Sequence, residues 1–162
     1  MKLIRLNESH CDAVAPLIAD FRTTLLSYKG IASQPDVTAG KEEFLSFLNA
    51  GYPVYAAMED HQMIGYIVCR IEDSVLWAEQ IYVCERYRRK GAASLLFGKA
   101  EEKAASLGED TVYNYVHPNN EAMIGFLRSR GYTVLNLIEI RKPYTGERLN
   151  TKIRVDHHEF DY

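Results

Sequence analysis

Val83-Cys84-Glu85-Arg86-Tyr87-Arg88-Arg89-Lys90-Gly91-Ala92-Ala93-Ser94-Leu95-Leu96 joins the end of one apolar run to the start of an amphipathic one, and this junction decides the fold class. Upstream, Val75 to Val83 reads as a strand. Downstream, Lys90 to about Leu107 reads as a helix with Leu96, Ala100, Ala104 and Leu107 on one face and Gly108 placed to end it. Thr111 to Val116, rich in β-branched and aromatic residues, then returns as a strand, and strand-helix-strand order implies a parallel crossover. At the junction itself, consecutive backbone N–H groups at a helix N-terminus converge where an anion would sit. Gly91 lets the backbone approach closely, Ala92 and Ala93 leave room, and Arg88, Arg89 and Lys90 add attraction. A diphosphate is the natural ligand; the bland alternative is a solvated basic turn. Neither the P-loop pattern nor the dinucleotide glycine pattern occurs, so ATP or NAD held in those ways is not expected.

Working outward, Lys2 to Leu6 predicts a first strand. Asn7-Glu8-Ser9 caps a helix running to about Phe21, with Ala13, Val14, Leu17, Ile18 and Phe21 as its core stripe. Thr23 to Tyr28 reads as a second short helix, Gly30 to Gly40 as a loop with a Pro35-Asp36 turn, and Lys41 to Asn49 as a third helix. From Pro53 the period changes to that of strands. Val54 to Met58 and Met63 to Ile71 form a hairpin, and Glu72-Asp73-Ser74 turns the chain into Val75 to Val83, giving an antiparallel meander. Beyond the crossover, His117-Pro118-Asn119-Asn120 leads into a short helix with Met123, Phe126 and Leu127 on its apolar face, ended by Gly131. Tyr132 to Ile140 and Thr151 to Asp156 read as the last strands, before a polar tail. The expected architecture is a single α/β domain over residues 1–162, with a mixed sheet of about seven strands and helices on both faces.

Composition is that of a globular chain: 162 residues, 47% apolar and 25% charged. The net charge of -3 weakens any reading as a general nucleic-acid binder. Cys11, Cys69 and Cys84 are odd in number and far apart, which suggests free thiols rather than a disulfide framework or a zinc site. No run approaches the ~20 apolar residues of a membrane span, and no secretory signal opens the chain. A cytoplasmic location and no metal are the expectations. His157-His158-Glu159 and Asp161 have metal-ligand residue types, but adjacent histidines on an extended chain point to opposite sides.

The junction resembles the cofactor motif of the GNAT superfamily of acyl-CoA-dependent N-acetyltransferases. In that motif an Arg or Gln is followed after two residues by Gly, and after one more by Gly or Ala; Arg88, Gly91 and Ala93 stand at those positions. Asn120 to Gly131-Tyr132 is similar to the family's later motif, and the element order agrees over nearly the whole chain. The resemblance implies acetyl-CoA as cofactor, with CoA as product. It implies that two parallel strands splay or bulge apart near Val83 and Val116 to admit the pantetheine arm. It assigns the arm to the backbone of Ile81, Tyr82 and Val83, the pyrophosphate to Arg88, Arg89, Lys90, Gly91, Ala92 and Ala93, and a further cofactor contact to Asn120. Asn120 is equally suited to be a plain helix N-cap, with Asn119 competing for that place.

Acyl transfer needs a neutral amine, and a lysine-like amine has an unperturbed pKa of about 10.4. Some group must take its proton. Glu79 stands where many members of the family keep a glutamate base, and strict alternation gives it the facing of Val83; otherwise it is a surface glutamate. A backbone N–H near Val83 would stabilise the developing oxyanion. The tyrosine that many members use to protonate the leaving thiolate is absent: Leu127 occupies its position, with Phe126 beside it, and Tyr113, Tyr115 and Tyr132 are the remaining phenols nearby. Cys84, beside Arg86 and Arg88, is a remote candidate for a covalent acyl carrier. The expected activity is direct transfer of acetyl to a primary amine, on a small molecule or a protein. The alternative is a non-catalytic acyl-CoA-binding sensor. A homodimer is implied by resemblance only.

Overall fold

A computed structural model describes every residue from Met1 to Tyr162. Strand β1 (Lys2–Arg5) leads to Asn7, whose side chain accepts from the Ser9 N–H and opens one 3-10 turn over Glu8–His10. That turn runs into α1 (Cys11–Tyr28). The separate helix expected over Thr23 to Tyr28 is therefore the end of α1. Its threonines do not break it, because the Thr23 and Thr24 hydroxyls donate back to the Ala19 and Asp20 carbonyls.

Helix α2 (Val37–Asn49) also starts earlier than the sequence suggested. Asp36, read as part of a turn, accepts from the Ala39 N–H and caps the helix. Gly40 then lies inside α2 instead of closing a loop. A Cβ there would stand 2.4 Å from the Ala15 carbonyl oxygen of α1, so the two helices approach backbone to backbone. Gly40→Ala is expected to destabilise the fold by about 1–3 kcal/mol through overpacking. An unchanged urea midpoint in that variant would show that α1 and α2 separate freely.

The meander consists of β2 (Val54–Glu59), β3 (Gln62–Glu72) and β4 (Val75–Val83), paired antiparallel. Both of its turns carry positive φ at two adjacent residues, Asp60-His61 and Asp73-Ser74, as tight hairpin connections require. Helix α3 (Ala92–Ser106) crosses to β5 (Tyr113–Asn114), which lies parallel to β4. The sheet order is β1-β2-β3-β4-β5. Two boundaries are corrected. The helix begins at Ala92, not Lys90, because Arg89 and Gly91 take left-handed backbone (φ 62° and 90°). β5 keeps only two residues of the expected Thr111 to Val116, because only Tyr113 and Asn114 find partners on β4.

Side chains alternate across this sheet. Val54, Ala56, Tyr66 and Val68 join Val14, Leu17 and Ile18 of α1 and Phe44 and Phe47 of α2 in one buried cluster. The opposite face carries Tyr55, Ile67 and Cys69 and meets α3, whose Lys99 ammonium lies 5.7 Å from the Tyr55 ring centroid. Helices thus cover both faces, as expected.

The chain divides into two compact units, Met1–Phe126 and Leu127–Tyr162. Helix α4 (Glu121–Ser129) runs across the division and ends at Gly131 (φ 90°), where the Tyr132 N–H donates to the Leu127 carbonyl. In the second unit, Tyr132 to Ile140 was expected to be a strand but joins no sheet, and Val134, Leu135, Leu137, Ile138 and Ile140 are exposed. β-propensity describes how side chains suit a pleated surface and does not provide a partner. Thr151 to Asp156 yields β6 (Lys152–Val155), and the supposed tail forms β7 (His158–Asp161), its antiparallel partner. The single seven-stranded sheet is therefore corrected to one of five strands and one of two. No helix is long and apolar enough to cross a membrane.

Candidate functional site

The parallel pairing of β4 with β5 covers only Trp77–Tyr113 and Ala78–Asn114. On that side, Glu79 to Val83 have no strand partner, so those of their backbone groups that point away from β3 form an open edge, at whose end the Val83 carbonyl accepts from Arg88. At the end of this edge the chain makes a 3-10 turn over Glu85–Tyr87 and reaches Gly91, the N-cap of α3. Asp36 and Asn120 cap α2 and α4, but no side chain caps α3. The N–H groups of its first turn, which no helical carbonyl can satisfy, therefore point outward together with their share of the helix dipole. Space around Gly91 is open.

The cations are not equivalent. Arg88 turns back, donating from Nε to the Val83 carbonyl at 3.0 Å, with its guanidinium 5.7 Å from the Tyr82 ring centroid. It braces the end of β4 against the turn. Arg89 and Lys90 are exposed, Lys90 lying 5.4 Å from the Tyr87 ring centroid. Tyr82 packs edge-on against Phe21 of α1. Ile81, Tyr82 and Val83, read as strand residues, are placed as such.

Glu79 differs most from its sequence reading. Val68 pairs with Gln80 and Cys69 with Ala78, so Glu79 is an extra residue in a β-bulge of β4. The bulge breaks the alternation that gave Glu79 and Val83 one facing. Val83 pairs with Gly65, on the α3 side of the sheet. Glu79 instead accepts from Arg70 Nε at 2.8 Å, and Arg70 lies 4.3 Å from the Trp77 ring centroid, on the α1/α2 side. Arg70 also pairs with Glu72 at 3.0 Å. Partial burial works against its charge, but the hydrogen bonds it donates to both carboxylates outweigh it and hold the guanidinium protonated.

Beside Glu79, Gln80 is the one buried polar residue of the core. It accepts from the Tyr66 hydroxyl at 2.7 Å and donates to Glu43 of α2 at 2.6 Å, and Glu43 also pairs with Arg22 of α1. This chain ties the bulge to both helices. A hollow of about 140 Å³ opens along α1 and α2, with Arg22, Ser33, Asp36 and Glu43 in its wall. The sequence reading missed Arg70, Gln80, Glu43 and Arg22. The one available signal was Gln80 itself, a polar residue inside an apolar strand.

Asn120 is the N-cap of α4: its Oδ1 accepts from the Met123 N–H at 3.1 Å. Asn119 does not compete, since its Nδ2 donates to the Tyr28 carbonyl at 2.9 Å. Asn120→Ala is expected to cost about 1 kcal/mol of stability, read as a lowered thermal midpoint. A midpoint identical to wild type would show that the cap contributes nothing. Across the sheet, Asn114 of β5 donates from Nδ2 to the Val112 carbonyl at 2.8 Å, while its Oδ1 is buried without a partner. Such an orphan costs about 1–3 kcal/mol. Cys84 is a poor nucleophile, because burial and the nearby Asp20 raise its thiol pKa despite Arg86 and Arg88.

The sequence model of the acetyltransferase (GNAT) family matches residues 19–132, from α1 through the turn that ends α4. The chain belongs to the GNAT acetyltransferase family. Solved structures share this GNAT fold at low identity. The aminoglycoside antibiotic 6'-N-acetyltransferase AAC(6')-IG from Acinetobacter haemolyticus is 21% identical with a TM-score of 0.65, over 89% of this chain and 99% of that one. AAC(6')-Iy in complex with the bisubstrate analog CoA-S-monomethyl-acetylneamine is 19% identical with a TM-score of 0.67, over 88% and 98%. A ribosomal-protein-alanine N-acetyltransferase from Brucella melitensis biovar Abortus is 15% identical with a TM-score of 0.68, over 89% and 100%. No curated protein matches the chain significantly. In this GNAT domain the bulge at Glu79, the open edge of β4 and the α3 N-terminus follow one another along a single stretch of chain.

Proposed function

We propose that the chain moves an acetyl group from acetyl-CoA directly to a primary amine within a ternary complex. The observation that carries this reading is the open edge of β4 leading into the uncapped N-terminus of α3. An extended arm bearing amides and ending in a diphosphate needs these features: strand-like backbone groups, then converging N–H groups beside cations. The orphaned Asn114 acceptor beside that edge fits the same arm. Acetyl-CoA, when bound, supplies an activated thioester carbonyl for attack by the amine.

The chain's own residues have distinct tasks. The backbone of Ile81, Tyr82 and Val83 holds the arm, and the N–H groups of the turn through Gly91, Ala92 and Ala93 hold the pyrophosphate. Arg89 and Lys90 attract it. Arg88 fixes the turn through Val83, and Asn120 approaches the cofactor from α4 while capping it. Glu79, held by Arg70 at the bulge, accepts the proton that the amine must lose. A backbone N–H near Val83 faces the charge that develops on the carbonyl oxygen. The leaving thiolate needs no dedicated donor, since an ordinary thiol pKa of about 8.5 makes it a tolerable leaving group near neutral pH. The amine enters along the α1/α2 side, where Glu79, Trp77 and Tyr113 lie. The fold neighbours have small-molecule and protein acceptors in their names, so both amine classes are candidates.

A thermal-shift titration with CoA and acetyl-CoA, followed by thiol release across amino acids, polyamines, aminoglycosides and peptide N-termini, tests this. Stabilisation by both nucleotides and amine-dependent thiol release are expected. Stabilisation without release from any amine would favour the sensor reading, to which the apolar Leu127 in the usual tyrosine position points. No shift with either nucleotide would refute acyl-CoA binding.

A further inference from the structure

We infer, resting on the acyl-CoA reading above, that Asn114 is a ligand to the pantetheine arm: its side-chain carbonyl accepts a hydrogen bond from an amide N–H of the bound thioester. The identity of the orphaned atom is settled by its neighbour. Val112 offers a carbonyl oxygen 2.8 Å away, which must face the amide nitrogen of Asn114, so the unpartnered atom is the carbonyl Oδ1. A buried acceptor without a donor calls for a donor from outside the chain, either water or ligand.

Its position points to the ligand. Asn114 pairs with Ala78, the last residue of β4 to meet β5, and the bulge at Glu79 follows at once. The orphan therefore lies where the two parallel strands part company, at the inner end of the open edge. The face is also defined. Ala78 pairs with Cys69, on the α3 side of the sheet, while Glu79 lies on the other side with Arg70. Asn114 thus approaches the arm from the face opposite the proposed base and leaves the amine's path clear. An amide-bearing arm presents the N–H donor that Oδ1 lacks. The sequence supports the same view, since Asn114 interrupts a run of β-branched and aromatic residues in which an apolar side chain would pack more cheaply.

Asn114→Leu removes the acceptor while roughly keeping its volume. The free variant is expected to melt at or above the wild-type temperature, because an orphan has been removed. Its Kd for CoA should rise about fivefold to tenfold, the worth of one hydrogen bond. Its Kd for adenosine 3',5'-bisphosphate, which lacks the arm, should not change. Equal Kd values for CoA in wild type and variant overturn the inference, as does equal weakening of both ligands. A CoA analogue with the amide nearest sulfur replaced by an ester gives a second readout that needs no variant. Wild type should bind it about fivefold to tenfold more weakly than CoA, and undiminished affinity for it counts against the inference. Failure of the underlying reading looks different, since wild type would then bind neither CoA nor the bisphosphate.

Discussion

Gly91→Asp is expected to weaken CoA binding by about 100-fold or more while the free protein stays folded. The residue sits at φ 90°, in the left-handed region that aspartate tolerates better than most residues, and nothing lies within 4 Å of the position its Cβ would take. The fold therefore has room for the side chain, at a backbone strain of about 1–2 kcal/mol. The ligand leaves none, because the carboxylate stands at the head of α3 where the pyrophosphate would lie. Two unit charges about 5 Å apart at an effective dielectric near 20 repel by ~3 kcal/mol, which corresponds to roughly two decades in Kd. Calorimetric titration with CoA, beside a melt of the free variant, measures both halves. Binding within a few-fold of wild type would place the pyrophosphate elsewhere.

The second large effect is on turnover. Glu79→Gln is expected to lower kcat/KM by about 100-fold or more, within the range general bases contribute, with the KM for acetyl-CoA unchanged. The pH profile separates a base from a merely structural residue. With the carboxylate in place the amine can bind as an ammonium and lose its proton in the site. Without it, only amine already neutral in solution reacts, so the variant's rate should climb with pH toward the amine's own pKa and close the gap to wild type. Arg70→Met, which frees Glu79 from its partner, should lower kcat by a smaller factor, about tenfold, because the base loses its aim but not its chemistry. A Glu79→Gln enzyme as fast as wild type at every pH would end the assignment.

Both predictions concern one stretch of chain, yet the two residues were unequally visible in the sequence. The role proposed for Gly91 rests on local chemistry. A glycine after three cations and before two alanines, between an apolar strand and an amphipathic helix, describes an anion-binding helix start without reference to anything distant. The same is true of β4, whose bounds, Val75 to Val83, were read correctly, and of Gly131, which ends α4 as expected.

Glu79 was visible only as a residue type at a suitable place. Its orientation depends on a bulge, and a bulge is a relation between two strands: Glu79 is extra only because Cys69 and Val68 take Ala78 and Gln80 as partners. Period-2 alternation assumes an unbroken ladder and so assigned the wrong face. The same limit explains Tyr132 to Ile140, which has the composition of a strand and no sheet to join, and the shortened β5.

What the sequence determined by itself was the meander, the crossover helix and the glycine turn that opens α3, because hydrophobic period and turn chemistry are properties of neighbours along the chain. What only the tertiary structure decided was where β4 and β5 stop pairing, which way Glu79 faces, and that Arg70 and the orphaned Asn114 stand beside the open edge. Those depend on register between segments far apart in the chain, and a one-residue shift in register turns a side chain to the opposite face of the sheet.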